Sequence, residues 1–141
     1  MYDEILYPTD GSEGAEAALE HAIDHALTYD ATLHVLYVVE ERISEARAAE
    51  ILDSLEATGE RTVEEVRSKA KSAGVESLRG YIGSGSPYRQ ILAYSEDHDV
   101  DLIVMGTHGR RGVDRYLLGS VAEKVVRTAP SPVMTVRASE D

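Results

Sequence analysis

Apolar residues occur along this chain in two kinds of segment: short continuous runs, and longer stretches in which they recur every three or four positions. Continuous runs of β-branched and aromatic residues are typical of strands buried on both faces, as in a parallel sheet. The clearest run is TLHVLYVV, from Thr32 to Val39. The predicted strands are residues 4–8, 32–39, 75–82, 101–105 and 133–136, of which the third alternates enough with polar residues to suit a sheet edge.

Helical spacing fills the segments between these runs. Ser12 is placed to cap the first helix, whose small apolar residues suit close packing on a sheet. The second segment reads as one long helix or two, with a weak point near Thr58-Gly59 and a stop at Gly74. The dipeptide Ser86-Pro87 is a typical helix start. The predicted helices are residues 15–29, 44–73, 86–98 and 122–129.

The strands and helices alternate with short links. This alternation predicts an α/β fold with an open, doubly wound, five-stranded parallel sheet and helices on both faces. At 141 residues, with no linker or repeat, the chain is expected to be a single domain over 1–141. Ligands of such sheets bind beyond the carboxyl ends of the strands. Two loops qualify by composition, residues 9–12 after the first strand and 106–120 after the fourth.

Charge and composition narrow the class of protein. The formal charge of −12 opposes binding to nucleic acid or an anionic membrane. The basic residues are mostly arginine, and an acidic, lysine-poor surface favours a salt-loving source, with an ordinary acidic protein as the alternative. The chain has no cysteine, which excludes disulfides and thiol catalysis. Its first residues lack the basic region of a signal peptide, so a cytoplasmic protein is expected.

The glycine-rich loop after the fourth strand carries the candidate chemistry. Gly106-Thr107-His108-Gly109 permits a turn with open backbone, and Gly119-Ser120 stands where the next helix begins. Helix starts offer unpaired N–H groups and partial positive charge to a phosphate. The alternatives are that the GxxG segment is a plain turn or a nucleic-acid clamp, and that Ser120 only caps the helix.

Individual side chains in these loops admit two interpretations each. Asp10 either contacts a ligand or a divalent ion, or closes an Asx-type turn. His108 either donates to phosphate or acts as an acid or base, or is a loop residue whose backbone matters. Arg110, Arg111 and Arg115 either screen phosphate charge or pair with surface acids.

The remaining histidines are weaker candidates. His21 and His25 share a helix face, but no HExxH pattern accompanies them, so metal binding is not expected there. His34 lies inside a predicted buried strand and is expected to be a hydrogen-bonded core residue.

The pattern Gly106-x2-Gly109-x9-Gly119-Ser120 matches the G-x2-G-x9-G-[ST] motif of the ATP-binding branch of the universal stress protein (UspA) family. The opening ILYPTD and the segment PSPV before the last strand also resemble that family, so the resemblance covers essentially the whole chain. With the acidic composition, it suggests a halophilic archaeon as the source. It implies the strand order 3-2-1-4-5 of a Rossmann-like, adenine-nucleotide α-hydrolase-like fold.

The resemblance also implies a ligand and its site. The ligand is ATP or another adenine nucleotide, AMP and cyclic AMP included, with Mg²⁺ or Mn²⁺ at Asp10. Similarity also implies a homodimer through the last strand, Val133, Met134, Thr135 and Val136. No residue is assigned a catalytic role. The implied nucleotide-binding residues are Pro8, Thr9, Asp10, Val38, Met105, Gly106, His108, Gly109, Gly119, Ser120 and Val121.

Three functions follow as hypotheses. The first is an ATP-binding regulatory protein or sensor in a stress response. The second is a slow Mg- or Mn-dependent ATPase, which is uncertain because the chain has no GxxxxGK[ST] run and thus no P-loop lysine. The third is a dimeric interaction module that binds no nucleotide.

Overall fold

The computed structural model describes residues 1–40, 48–108 and 119–138. Strands and helices alternate along these residues, and all the strands join one parallel sheet in the order β3-β2-β1-β4-β5. The predicted fold class and strand order are therefore confirmed. The elements are β1 (Glu4–Thr9), α1 (Glu13–Tyr29), β2 (Thr32–Val39), α2 (Ala48–Ala73), β3 (Leu78–Ser84), α3 (Pro87–Asp97), β4 (Leu102–Gly106), α4 (Ser120–Thr128) and β5 (Val133–Val136).

The sheet has a separate hydrophobic core on each face. Side chains alternate along a strand, so Ile5 and Tyr7 of β1 pack toward α1 and α2, whereas Leu6 packs toward α3 and α4. In β4, Val104 and Ile103 divide between the two faces in the same way. Burial on both faces explains why the central strands are continuous apolar runs in the sequence.

Helix α1 begins directly after its predicted cap Ser12, two residues before the predicted span, and ends at Tyr29 as predicted. The Ser12 hydroxyl accepts a hydrogen bond from the Ala15 N–H at 3.3 Å, as expected of a capping residue. Ala18 and Ala22 are fully buried, so their small side chains let the helix approach the sheet closely. At the other end Asp30 adopts a left-handed conformation with φ of 51°, and its N–H donates to the carbonyl of Ala26.

Helix α2 is one continuous helix through the predicted weak point. A Cβ on Gly59 would lie 2.8 Å from the Tyr37 ring, so this glycine makes room for the aromatic side chain of β2. Tertiary packing on Tyr37 therefore outweighs the poor helix propensity of glycine. The first predicted residues of this helix, 44–47, lie outside the described residues.

The predicted start of β3 is wrong by three residues. Val75 completes the end of α2 instead, because its N–H donates to the Ala70 carbonyl at 3.0 Å behind Gly74, whose φ is 110°. The strand also runs further than expected, since Gly83 and Ser84, beyond its predicted end at residue 82, pair with the end of β2. β3 thus extends to the carboxyl ends of the neighbouring strands, where the candidate loops lie.

Two strands form the edges of the sheet. β3 is one of them, as its alternating sequence predicts, and β5 is the other. No helix among the described residues is long and apolar enough to cross a membrane.

Candidate functional site

The two candidate loops leave the sheet side by side. β1 and β4 are neighbours, with Ile5 paired to Leu102 and Leu6 to Ile103, so the residues after both strands emerge at the same carboxyl edge. A cavity of about 540 Å³ opens there. It is lined by the predicted residues Pro8, Thr9, Asp10, Val38, Met105, Gly106, His108, Gly119, Ser120 and Val121. Gly109, Arg110, Arg111 and Arg115 lie outside the described residues.

The turn after β1 is fixed by its own side chains. The Thr9 hydroxyl accepts a hydrogen bond from the Gly11 N–H at 3.0 Å, and Gly11 has a φ of 78°. Asp10 Oδ1 accepts from the Ser12 N–H at 2.9 Å, which is the geometry of an Asx turn. Asp10 therefore closes the turn and also borders the cavity, so its two interpretations are compatible.

Gly106 is the last residue of β4 rather than a loop residue, since it pairs with Val136 of β5. A Cβ at this position would lie 2.5 Å from the carbonyl oxygen of Gly14 and 3.1 Å from the nitrogen of Ala15. Both neighbours are backbone atoms of the first turn of α1 and cannot rotate aside. The structure thus requires glycine here for close packing against α1.

Helix α4 opens directly onto the cavity. Gly119, and not Ser120, is its N-cap, and the Gly119 N–H donates to the Thr107 carbonyl at 2.7 Å. No side chain caps this helix. The interpretation of Ser120 as the capping residue is therefore wrong, because glycine holds the extended cap conformation and Ser120 is already the first helical residue. The N–H groups of Ser120 and Val121 belong to the first turn, where an α-helix supplies no partner for them.

The cavity combines an apolar wall with a polar rim. Its apolar wall comes from both faces of the sheet and includes Val38, Leu55, Ile91 and Met105. Asp10, His108 and Ser120 supply polar groups on the side of the two loops. Such a division suits a ligand with one flat apolar part and one anionic part.

Sequence reasoning missed the wall that α3 adds. Ser86, Pro87 and Tyr88 line the cavity, as does Lys124 of α4. The Lys124 ammonium lies 4.8 Å from the centre of the Tyr88 ring, a cation–π contact between the two helices. Ser86-Pro87 follows a strand at the carboxyl edge, and that position was the available signal. Nothing in the sequence links Tyr88 to Lys124.

Two polar contacts hold residues that line the cavity, one at Ala15 and one at His108. The Tyr7 hydroxyl donates to the Ala15 carbonyl at 2.5 Å and so joins β1 to α1. Burial raises the pKa of Tyr7 to about 12, so this donor stays protonated at neutral pH. His108 Nδ1 lies 3.1 Å from the Thr107 hydroxyl, within hydrogen-bond distance. The first contact involves Ala15, which packs against Gly106, and the second joins the two residues that follow Gly106.

The other histidines lie away from this cavity. His34 is buried, as predicted, with Nδ1 2.6 Å from the Tyr94 hydroxyl and Nε2 3.2 Å from Glu4 Oε2. Burial lowers its pKa, and the hydrogen bond to Glu4 opposes that shift only in part. His25 Nδ1 contacts the His21 carbonyl at 2.8 Å. Across the described ranges no three His, Cys, Asp or Glu side chains are grouped so as to hold a metal ion.

Comparisons with known proteins agree with this architecture. A family model for the universal stress protein family matches residues 1–137. A universal stress protein of Methanocaldococcus jannaschii is 37% identical over 142 residues, covering 97% of this chain and 83% of that protein. Universal stress protein UspA from Lactobacillus plantarum has a TM-score of 0.89 and 31% identity, over 96% of this chain and 98% of that one. A universal stress protein in complex with cAMP has a TM-score of 0.79 and 25% identity, over 98% and 99% of the two chains.

Proposed function

The chain belongs to the universal stress protein family, and from this premise we propose that it binds an adenine nucleotide, ATP foremost, in the cavity at the carboxyl edge of the sheet. The observation that carries the proposal is the meeting of the β1 turn, the end of β2 and the start of α4 around one cavity. The cAMP complex of a similar fold supports an adenine nucleotide as the ligand class. The protein then acts as a nucleotide-dependent regulatory module in a stress response.

The parts of the cavity suit the parts of the ligand. Val38 and the Pro8-Thr9-Asp10 turn are proposed to hold adenine and ribose. The first turn of α4, with Gly119, Ser120 and Val121, is proposed to hold phosphate oxygens through backbone N–H groups. Gly109, outside the described residues, is included by the motif alone.

A divalent ion is proposed to accompany the nucleotide. The carboxylate of Asp10 borders the cavity and is the oxygen donor type that Mg²⁺ and Mn²⁺ prefer. Such an ion would neutralise part of the phosphate charge in a protein whose own formal charge is −12. Titration with ATP in the presence of Mg²⁺, of Mn²⁺ and of a chelator tests this, with tighter binding expected in the metal-containing samples.

Calorimetric titration with Ser120→Glu tests the phosphate site. A carboxylate in the first turn stabilises a helix, so the variant should unfold no earlier than the parent. The same charge should repel phosphate and reduce ATP affinity by at least about tenfold. Ser68→Glu, which makes the same charge change at an exposed position of α2 away from the cavity, is the matched control and should bind normally. Equal ATP affinity in both variants would contradict the phosphate site.

A homodimer is proposed through the β5 edge. Val133 to Val136 form an edge strand whose residues are only half-buried, and unpaired edge groups are a natural place for a second chain to bind. Light scattering should give twice the chain mass, and Met134→Lys should reduce it to the monomer. A parent protein that remains monomeric at high concentration would contradict this proposal.

A further inference from the structure

Lys124 is the one lysine or arginine among the described residues that line the cavity, and it lies outside the family motif. Ser120, Val121 and Lys124 of α4 all line the cavity. Lys124 is four residues after Ser120 and three after Val121, and residues at these two spacings are neighbours on a helix surface. Lys124 is therefore one helical turn beyond the proposed phosphate donors, a rise of about 6 Å.

The side chain of Lys124 extends in a useful direction. Helical side chains tilt toward the N-terminus, so the four-carbon stem of Lys124 covers the turn that begins at Ser120. Its ammonium lies 4.8 Å from the centre of the Tyr88 ring. That ring is itself held by Arg89, whose Nε donates to the Tyr88 hydroxyl at 3.1 Å. An aromatic face holds a cation in place without supplying a neutralising carboxylate.

A neighbouring arginine on the same helix shows the contrast. Arg127 forms an ion pair with Glu123 one turn earlier and does not line the cavity. Lys124 is in neither of the ion pairs found among the described residues, His34–Glu4 and Arg127–Glu123. The Lys124 ammonium thus lies against the Tyr88 ring on the cavity wall, whereas Arg127 is paired with a carboxylate at the surface.

We propose that Lys124, held over Tyr88, gives the cavity its preference for nucleoside polyphosphates over monophosphates. This rests on the proposed nucleotide site and goes beyond it by naming the ligand class. The first turn of α4 provides a small set of N–H donors suited to one phosphate group. A fixed cation interacts more strongly as ligand charge grows, so it favours ATP over AMP.

Separate titrations of ATP and of AMP into the parent protein and into Lys124→Gln measure the two affinities and test the proposal. The variant should bind ATP about tenfold more weakly and AMP less than about threefold more weakly, so that the ratio of the two affinities falls. The difference between parent and variant should shrink as KCl screens the charge. Tyr88→Leu, which removes the aromatic support, should lower the ratio by about two- to fivefold.

Arg127→Gln is the matched control, because it removes one positive charge from the same helix and should leave the ratio unchanged. If Lys124→Gln weakens both ligands equally, or if Arg127→Gln gives the same result, the assignment of Lys124 is overturned while nucleotide binding itself stands. If the parent protein binds neither ATP nor AMP, the proposed function fails and this inference fails with it.

Discussion

Replacing Gly106 with alanine tests how tightly the end of β4 is held against α1. The new Cβ would lie 2.5 Å from the Gly14 oxygen and 2.7 Å from the Gly14 carbonyl carbon. Relief of these contacts needs a backbone shift of about 1 Å, and such overpacking destabilises by about 1–3 kcal/mol. For a chain of 141 residues this corresponds to a fall in melting temperature of about 3–10 °C.

Urea unfolding followed by circular dichroism measures the free energy, and titration with ATP measures the effect on the cavity. Affinity should fall as well, because the displaced strand carries Thr107 and His108 with it. Gly83→Ala is the matched control, since its Cβ would meet the Gln90 side-chain oxygen at 2.9 Å, and that side chain can move. A loss below about 0.5 kcal/mol for Gly106→Ala, or equal losses in both variants, would refute the packing argument.

Three further predictions follow from single groups. Asp10→Asn keeps an oxygen acceptor for the Ser12 N–H, so its free energy of unfolding should stay within about 0.5 kcal/mol of the parent, whereas Asp10→Ala should lose about 1 kcal/mol. Both variants should weaken Mg-ATP binding. Normal binding by Asp10→Asn would show that Asp10 only closes the turn. Burial lowers the pKa of His34 from 6.5, so the unfolded chain binds this proton more readily than the folded chain. The stability contributed by His34 should therefore be complete above pH 6.5 and fall as the pH drops below it. His34→Gln should flatten this part of the urea-midpoint profile from pH 8 to 5, and an unchanged slope would contradict the role given to His34. The formal charge of −12 predicts melting temperatures that rise with KCl, and full stability at low salt would argue against a salt-loving source.

The sequence was most informative where local chemistry decides the structure. The run from Thr32 to Val39 matches β2 at both ends. Because both faces of this strand are buried, it is an almost continuous apolar run whose limits are clear in the sequence. Ser12 and Gly74 marked helix ends correctly, because a capping hydroxyl and a positive φ are local requirements. The family resemblance then supplied ten of the 24 described residues that line the cavity.

The remaining features depend on contacts between distant parts of the chain. Gly59 does not interrupt α2, because the Tyr37 ring from β2 packs into the space that a side chain at Gly59 would occupy. Gly106 resembled a ligand-facing turn residue, yet its tightest neighbours belong to α1. Tyr88 and Lys124 look like ordinary helix-surface residues until the packing of α3 on α4 brings them together. Periodicity along one segment cannot reveal such pairs.

Amide NMR of the parent protein during titration with Mg-ATP tests the central claim most directly, because it reports both binding and its location. Saturable shifts are predicted at Asp10, Gly106, Ser120 and Val121, at the carboxyl edge of the sheet, with no change at His34 near the opposite end. The absence of saturable shifts at millimolar ATP, or shifts confined to the region around His34, would contradict a nucleotide site between β1 and α4.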